Sequence, residues 1–184
     1  MVTFWDPEAG NPYHDNGDIE RYCMLNDIEI CNVYGGGYSW TEMMDYPEED
    51  ETTGIVQGIC PAGWHIPSLD EWSTLFEHVG GISVAGGMLK DTVTTGDGTG
   101  LWSAPNTGAS NQYGFTALPG GSPLRYPGQY PNLGVGECIE FGTASTEMGF
   151  SLTVLLWFNH GSVDIGRIPI DMPWPAYVRC IRDP

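Results

Sequence analysis

The sequence predicts an α+β fold with two short helices, a small antiparallel sheet late in the chain and long loops. Three observations lead there. Glycine (26) and proline (14) make up about a fifth of the 184 residues, which favours short elements and long connections over a helical bundle. One segment, 67–81, carries a complete set of helix signals. The apolar and alternating stretches that read as strands all lie after residue 137.

Taken in order, residues 1–22 read as an extended lead-in with DNGD as a turn. Residues 38–46, YSWTEMMDY, are a short helix candidate that Thr41 could cap. The clearest element follows. Ser68 and Glu71 stand at capping-box spacing, and Trp72, Leu75, Phe76 and Val79 recur at i, i+3, i+4 and i+7. Gly80 or Gly81 can supply the positive φ that stops the helix. PSLDEWSTLFEHVGG therefore predicts an amphipathic helix of about three turns that buries those four side chains.

Residues 82–137 show few regular elements. TTGDGTG, PNTGASNQYG, LPGG and YPGQYPNLG are all turn chemistry, and so long a stretch points to loops that are stabilised or functional. Residues 138–143, 151–159, 162–167 and 176–182 then read as short strands, with NHG as a hairpin turn. In AYVRCIR, Tyr177, Arg179 and Ile181 take one face; Val178, Cys180 and Arg182 take the other. No internal repeat is visible, and the length suits one domain, 1–184.

The formal net charge is −18, with only six Lys or Arg. Binding nucleic acid through phosphates needs a positive patch that this composition does not supply. Residues 1–60 hold 13 acids against Arg21 alone, and PEEDE at 47–51 concentrates four of them as a solvated loop. LTVLLWF at 152–158 is far too short to insert in a membrane.

Five cysteines permit two disulfides with one left over. A local clip, Cys23–Cys31, with a long tether, Cys60–Cys180, is the favoured pairing and leaves Cys138 free. Such bonds imply an extracellular or other oxidising setting. MVTFWDPEAGNPY lacks the basic start and apolar stretch of a signal peptide; the export route stays open, with release by lysis or inside a phage-like particle as one alternative.

No serine nucleophile elbow, P-loop, dinucleotide fingerprint or zinc-finger spacing occurs. His14, His65, His78 and His160 are scattered, with His65 expected to be structural and His78 exposed. Glu137, Glu140 and Glu147 are the acids that could form a glycosidase-like pair, but ordinary acidic spacing explains them equally well. The chain is expected not to be an enzyme.

Several stretches, taken in order, give the chain a family resemblance. CMLNDIEICNVYGGGYSWTEMM, GICPAGWHIPSLDEWSTL, AGGMLK, NQYGFTALPGG and YVRCIRD run from residue 23 to residue 183. In them the chain resembles the Fibrobacter succinogenes major paralogous domain, a bacterial surface and secreted module. The resemblance implies a C-type-lectin-like fold, close to its formylglycine-generating-enzyme variant, with 23–184 as the core. It implies the same two disulfides and places Trp64 and Trp72 in the core. The enzyme's late pair of active cysteines is not reproduced, and a shared fold does not carry the reaction with it.

Classical C-type lectins hold sugar through Ca²⁺ ligated by loop oxygens, and calcium takes six to eight of them. Asp97, Asn106, Asn132 and Glu137 are the candidate ligands here, although the lectins' Glu-Pro-Asn and Trp-Asn-Asp triplets are absent. For ligand binding the candidates are Trp102, Tyr113, Tyr126, Tyr130 and Trp174, because sugars and protein partners both use such rings as anchors. Loops 92–137 and 168–176 would then present a binding module to a glycan or protein on a surface. A structural or self-assembling surface component is the alternative.

Overall fold

The computed structural model describes residues 2–3, 19–24, 27–46, 54–94, 101–122, 134–170 and 174–184. The chain is α+β. In order it forms β1 (Val2–Thr3), β2 (Arg21–Tyr22), α1 (Ile28–Tyr34), β3 (Gly37–Tyr38), α2 (Trp40–Met43) and β4 (Trp64–His65). Then come α3 (Leu69–His78), α4 (Ile82–Leu89), β5 (Cys138–Glu147), β6 (Phe150–Trp157), β7 (Val163–Pro169), β8 (Ala176–Tyr177) and β9 (Ile181–Arg182). Among the described residues, seven strands form one sheet in the order β1-β2-β3-β8-β5-β6-β7, and β4 pairs with β9 in a second.

The large sheet is mixed, where an antiparallel one was expected. β1 is parallel to β2, and β5 is parallel to β8, whereas β2–β3 and β3–β8 are antiparallel. β8 lies between β3 and β5, which run in opposite senses, so it must be parallel to one of them. AYVRCIR is also not one strand. Ala176–Tyr177 joins the large sheet and Ile181–Arg182 the small one, while Cys180 between them is bonded to Cys60. Both expected disulfides are formed, and Cys138, outside both of them, is buried.

The chain folds as two compact units. The first comprises Met1–Leu69, Phe141–Thr153 and Arg167–Pro184; the second comprises Asp70–Glu140 and Val154–Gly166.

In the first unit, Asp27 caps α1 by accepting from the Glu29 N–H at 2.9 Å. That helix was not expected, since IEICNVY is rich in β-branched residues. The helix expected over 38–46 is a single turn, and Ser39 rather than Thr41 caps it, in a capping box with Glu42. Asp45 and Tyr46, at φ 61° and 52°, take the chain out of helical geometry. Trp40, Met43, Met44, Cys60, Ile66 and Ala144 form the core cluster. Gly142 is required beside it, because a Cβ there would sit 2.6 Å from Met43 Sδ. Met148 and Gly149 link β5 to β6 with φ of 51° and 81°, the left-handed pair of a type I′ hairpin turn.

In the second unit, α3 follows its sequence signals. Trp72, Phe76 and Val79 are buried and Leu75 is half-buried. Gly80 and Gly81 end it at φ 110° and 98°. α4 was not expected, because ISVAGGML carries two interior glycines that disfavour a helix. Their role is close approach. A Cβ on Gly86 would collide with the Ser162 carbonyl, and one on Gly87 with the Gly108 carbonyl. Gly87 N–H donates to Gly161 O at 2.8 Å, and Gly87 O accepts from Ser110 N–H at 3.0 Å.

Candidate functional site

Lys90 follows α4 in the second unit and is fully buried. Its Nζ donates to the carbonyls of Trp157 (2.7 Å), Thr107 (3.0 Å) and His160 (3.1 Å), which uses all three ammonium N–H groups. The ammonium also lies 5.3 Å from the centroid of the Trp102 ring. Burial pushes its pKa down to about 8; the three acceptors favour the charged form and oppose that shift. A single cation therefore ties the 101–122 segment to the end of β6 and the turn after it. Thr107 N–H to Phe158 O (2.8 Å), Asn106 Nδ2 to Asp91 O (2.8 Å) and Ala117 N–H to Leu89 O (2.9 Å) fasten the same segment.

The anchored backbone is strained. Asn106, Asn111 and Thr116 have φ of 44°, 45° and 56°, and a β-branched residue in that region is an outlier. Asn111 holds Thr116 there. Its Oδ1 accepts from the Thr116 N–H at 2.8 Å, and its Nδ2 donates to Thr116 Oγ1 at 2.9 Å. Strain of this kind clusters at functional sites. Within the loop, Phe115 turns toward Trp72, with ring centroids 5.9 Å apart. Tyr113 instead faces solvent, 46% exposed, and meets His78 edge-on at 5.3 Å.

The first unit carries a second rigid corner. β4 and β9 pair Trp64 with Arg182 and His65 with Ile181. The Cys60–Cys180 disulfide closes the corner, as do Asp183 N–H to Gly63 O at 3.0 Å and Trp64 N–H to Pro61 O at 2.9 Å. His65 is buried, and its Nδ1 lies 2.8 Å from Asp183 Oδ1. Successive strand residues point to opposite faces, so burying His65 turns Trp64 outward. Trp64 is 41% exposed and not the core residue that the resemblance implied. Trp72 is buried, as implied.

The candidate ligand-binding rings divide. Trp102 is fully buried, and its Nε1 donates to Ala117 O at 2.9 Å, so it offers no face for stacking. Its ring faces the Lys90 ammonium instead, a pairing that sequence alone could not reveal. Tyr113 is exposed, and Trp174 is half-buried. Tyr126 and Tyr130 lie outside the described residues.

Of the candidate calcium ligands, Asp97 and Asn132 also lie outside the described residues, as do the DNGD turn and the PEEDE run. Asn106 is buried, and its Oδ1 has no hydrogen-bond partner among the described residues. Glu137 is half-buried. Among the described residues no group of three or more His, Cys, Asp or Glu comes together.

Glu140 and Glu147 each have a partner of their own. Glu140 is buried and accepts from Ser122 Oγ, whereas Glu147 is paired with Arg167. His160 Nδ1 meets Ser162 Oγ at 2.8 Å, but its Nε2 is 3.8 Å from Asp164 Oδ2, too far for the hydrogen bond of a nucleophilic relay.

The model of the Fibrobacter succinogenes major domain matches residues 7–182. The chain belongs to that family. No curated protein and no solved structure matches it. Family membership gives the motif residues a setting. AGGMLK supplies the close backbone approach at Gly86 and Gly87 and the Lys90 anchor, while CPAGWHIP and RCIRD are the two sides of the Trp64–Arg182 corner.

Proposed function

We propose that the chain is a non-enzymatic binding module of an extracellular or particle surface that recognises a glycan or a surface protein through the 103–117 loop. One observation carries this reading: Tyr113 is held out to solvent against His78 on a strained loop that Lys90 fixes from beneath. A ring fixed before binding loses little entropy when a ligand stacks on it. Two disulfides suit an oxidising location, and no described helix is long and apolar enough to cross a membrane. A C-type-lectin-like arrangement is compatible with the short helices and long loops and would make this loop part of its binding surface.

A second reading, a structural or self-assembling surface component stabilised by calcium, is favoured by two features. Asn106 Oδ1 is a buried oxygen without a partner among the described residues, the kind of ligand that calcium takes. Among the described strands β7 lies at the edge of the sheet, with Ile165 exposed, and such an edge can pair with another chain.

Glycan-array binding with and without millimolar Ca²⁺ tests the proposal on the wild type and Tyr113→Ala. A specific, competable signal that Tyr113→Ala abolishes is the expected result. Binding that survives this substitution removes Tyr113 from the site. Silence on every glycan, together with concentration-dependent assembly in sedimentation, favours the second reading.

A further inference from the structure

We infer that the Trp64–Arg182 corner is a separate binding surface for a sugar bearing a carboxylate, a uronic acid residue that is terminal or flanked by neutral sugars. The guanidinium is the unusual feature. Among 24 acids and six bases, Lys90 is buried on carbonyls and Arg167 is taken up by Glu147. Arg182 is exposed, and among the described residues no carboxylate pairs with it.

On a chain this acidic, the corner offers an anionic group a charge-assisted, two-pronged contact. The adjacent surface supplies the rest. Directly opposed residues of an antiparallel pair share a face, at about 5 Å between Cβ atoms, so Trp64 and Arg182 point to the same side. A sugar ring lying on the exposed indole can then extend a carboxylate to the guanidinium. The surface is fixed beforehand by the Cys60–Cys180 disulfide and the His65–Asp183 contact, which limits the ordering cost of binding.

The net charge of −18 narrows the ligand further. It repels polyanions at long range, so nucleic acid and unbroken polyuronate are disfavoured. A single uronate among neutral sugars keeps the local contact without that repulsion.

The test is a calorimetric titration of the full chain with a trisaccharide ending in glucuronic acid and with its glucose-ended counterpart. Preference for the uronate is expected, with Trp64→Ala and Arg182→Gln each weakening its binding about tenfold or more. Arg182→Lys, which keeps the charge without the fork, should fall between them and the wild type. Thermal unfolding midpoints confirm that each variant is folded. Tyr113→Ala should leave uronate binding unchanged, so loss of the loop site and loss of this one are distinguishable. Four results would overturn the inference: equal binding of the two sugars, uronate binding that survives Arg182→Gln, binding only of a Glu-rich peptide, or no binding by the folded wild type.

Discussion

The Lys90 ammonium donates to the carbonyl of Trp157 at 2.7 Å, across 67 residues of sequence. Through the same nitrogen it holds Thr107 and His160, and so it sets the base of the candidate binding loop. Lys90→Met would leave three carbonyls without their donor. Destabilisation by about 3 kcal/mol or more is expected from the charged hydrogen bonds lost. Urea denaturation measures it, and amide exchange of residues 103–110 should quicken well before global unfolding.

The glycine pair of α4 gives an independent test. Gly86→Ala and Gly87→Ala would each raise helix propensity, yet each puts a methyl group into a carbonyl of a neighbouring segment. Backbone cannot yield as a flexible side chain can. Both variants should therefore lose about 1–3 kcal/mol, visible as a lower unfolding midpoint. A gain in stability would show that helix propensity outweighs the clash.

Glu42 makes stability depend on pH. Burial pushes its carboxyl up to about 7; the nearby Glu20 charge adds to this, while the N–H groups of Ser39 and Glu20 and the Ser39 hydroxyl oppose it. Glu20 is also buried and accepts from Tyr22 Oη at 3.3 Å; burial and the Glu42 charge raise the Tyr38 phenol, which Arg21 partly offsets. The folded chain thus holds the Glu42 proton more tightly than the unfolded chain. That contribution is complete below the ordinary carboxyl value of 4.5 and is lost as pH rises through about 7. It amounts to about 3 kcal/mol. Urea midpoints taken from pH 4.5 to 8 should fall for the wild type and change less for Glu42→Gln, whose amide still suits a capping box.

The two disulfides should differ in worth. Cys60–Cys180 closes a separation of 120 residues and Cys23–Cys31 one of eight. Chain-entropy arithmetic gives about 5 kcal/mol for the first and about 2.5 kcal/mol for the second. Replacing each pair with alanine and comparing denaturation midpoints tests that order. The longer tether also fixes the β4–β9 corner, so its loss should expose amides 63–65 to exchange.

What the sequence conveyed about α3 was local: a cap, a repeat of apolar residues and a glycine stop lie within fifteen consecutive positions. α4 was illegible for the opposite reason. Its glycines resemble turn residues until the carbonyls of Gly108 and Ser162 are brought against them. Of the candidate site, Tyr113 was legible as a ring in a loop, whereas Trp102, chosen on the same grounds, is walled in by Lys90 and Ala117. Trp64 and Arg182 were missed as a pair. Alternation along β4 with an inward His65 was the available signal, but their opposition exists only once β4 meets β9.

The sequence by itself determined the acidic surface, the α3 helix and a cysteine complement able to form two disulfides. These depend on composition or on neighbours along the chain. Only the tertiary structure decided the mixed sense of the sheet, the existence of α4, the burial of Trp102 and the exposure of Trp64. Each of these is settled by backbone groups or strands far apart in sequence, whose approach no local pattern records.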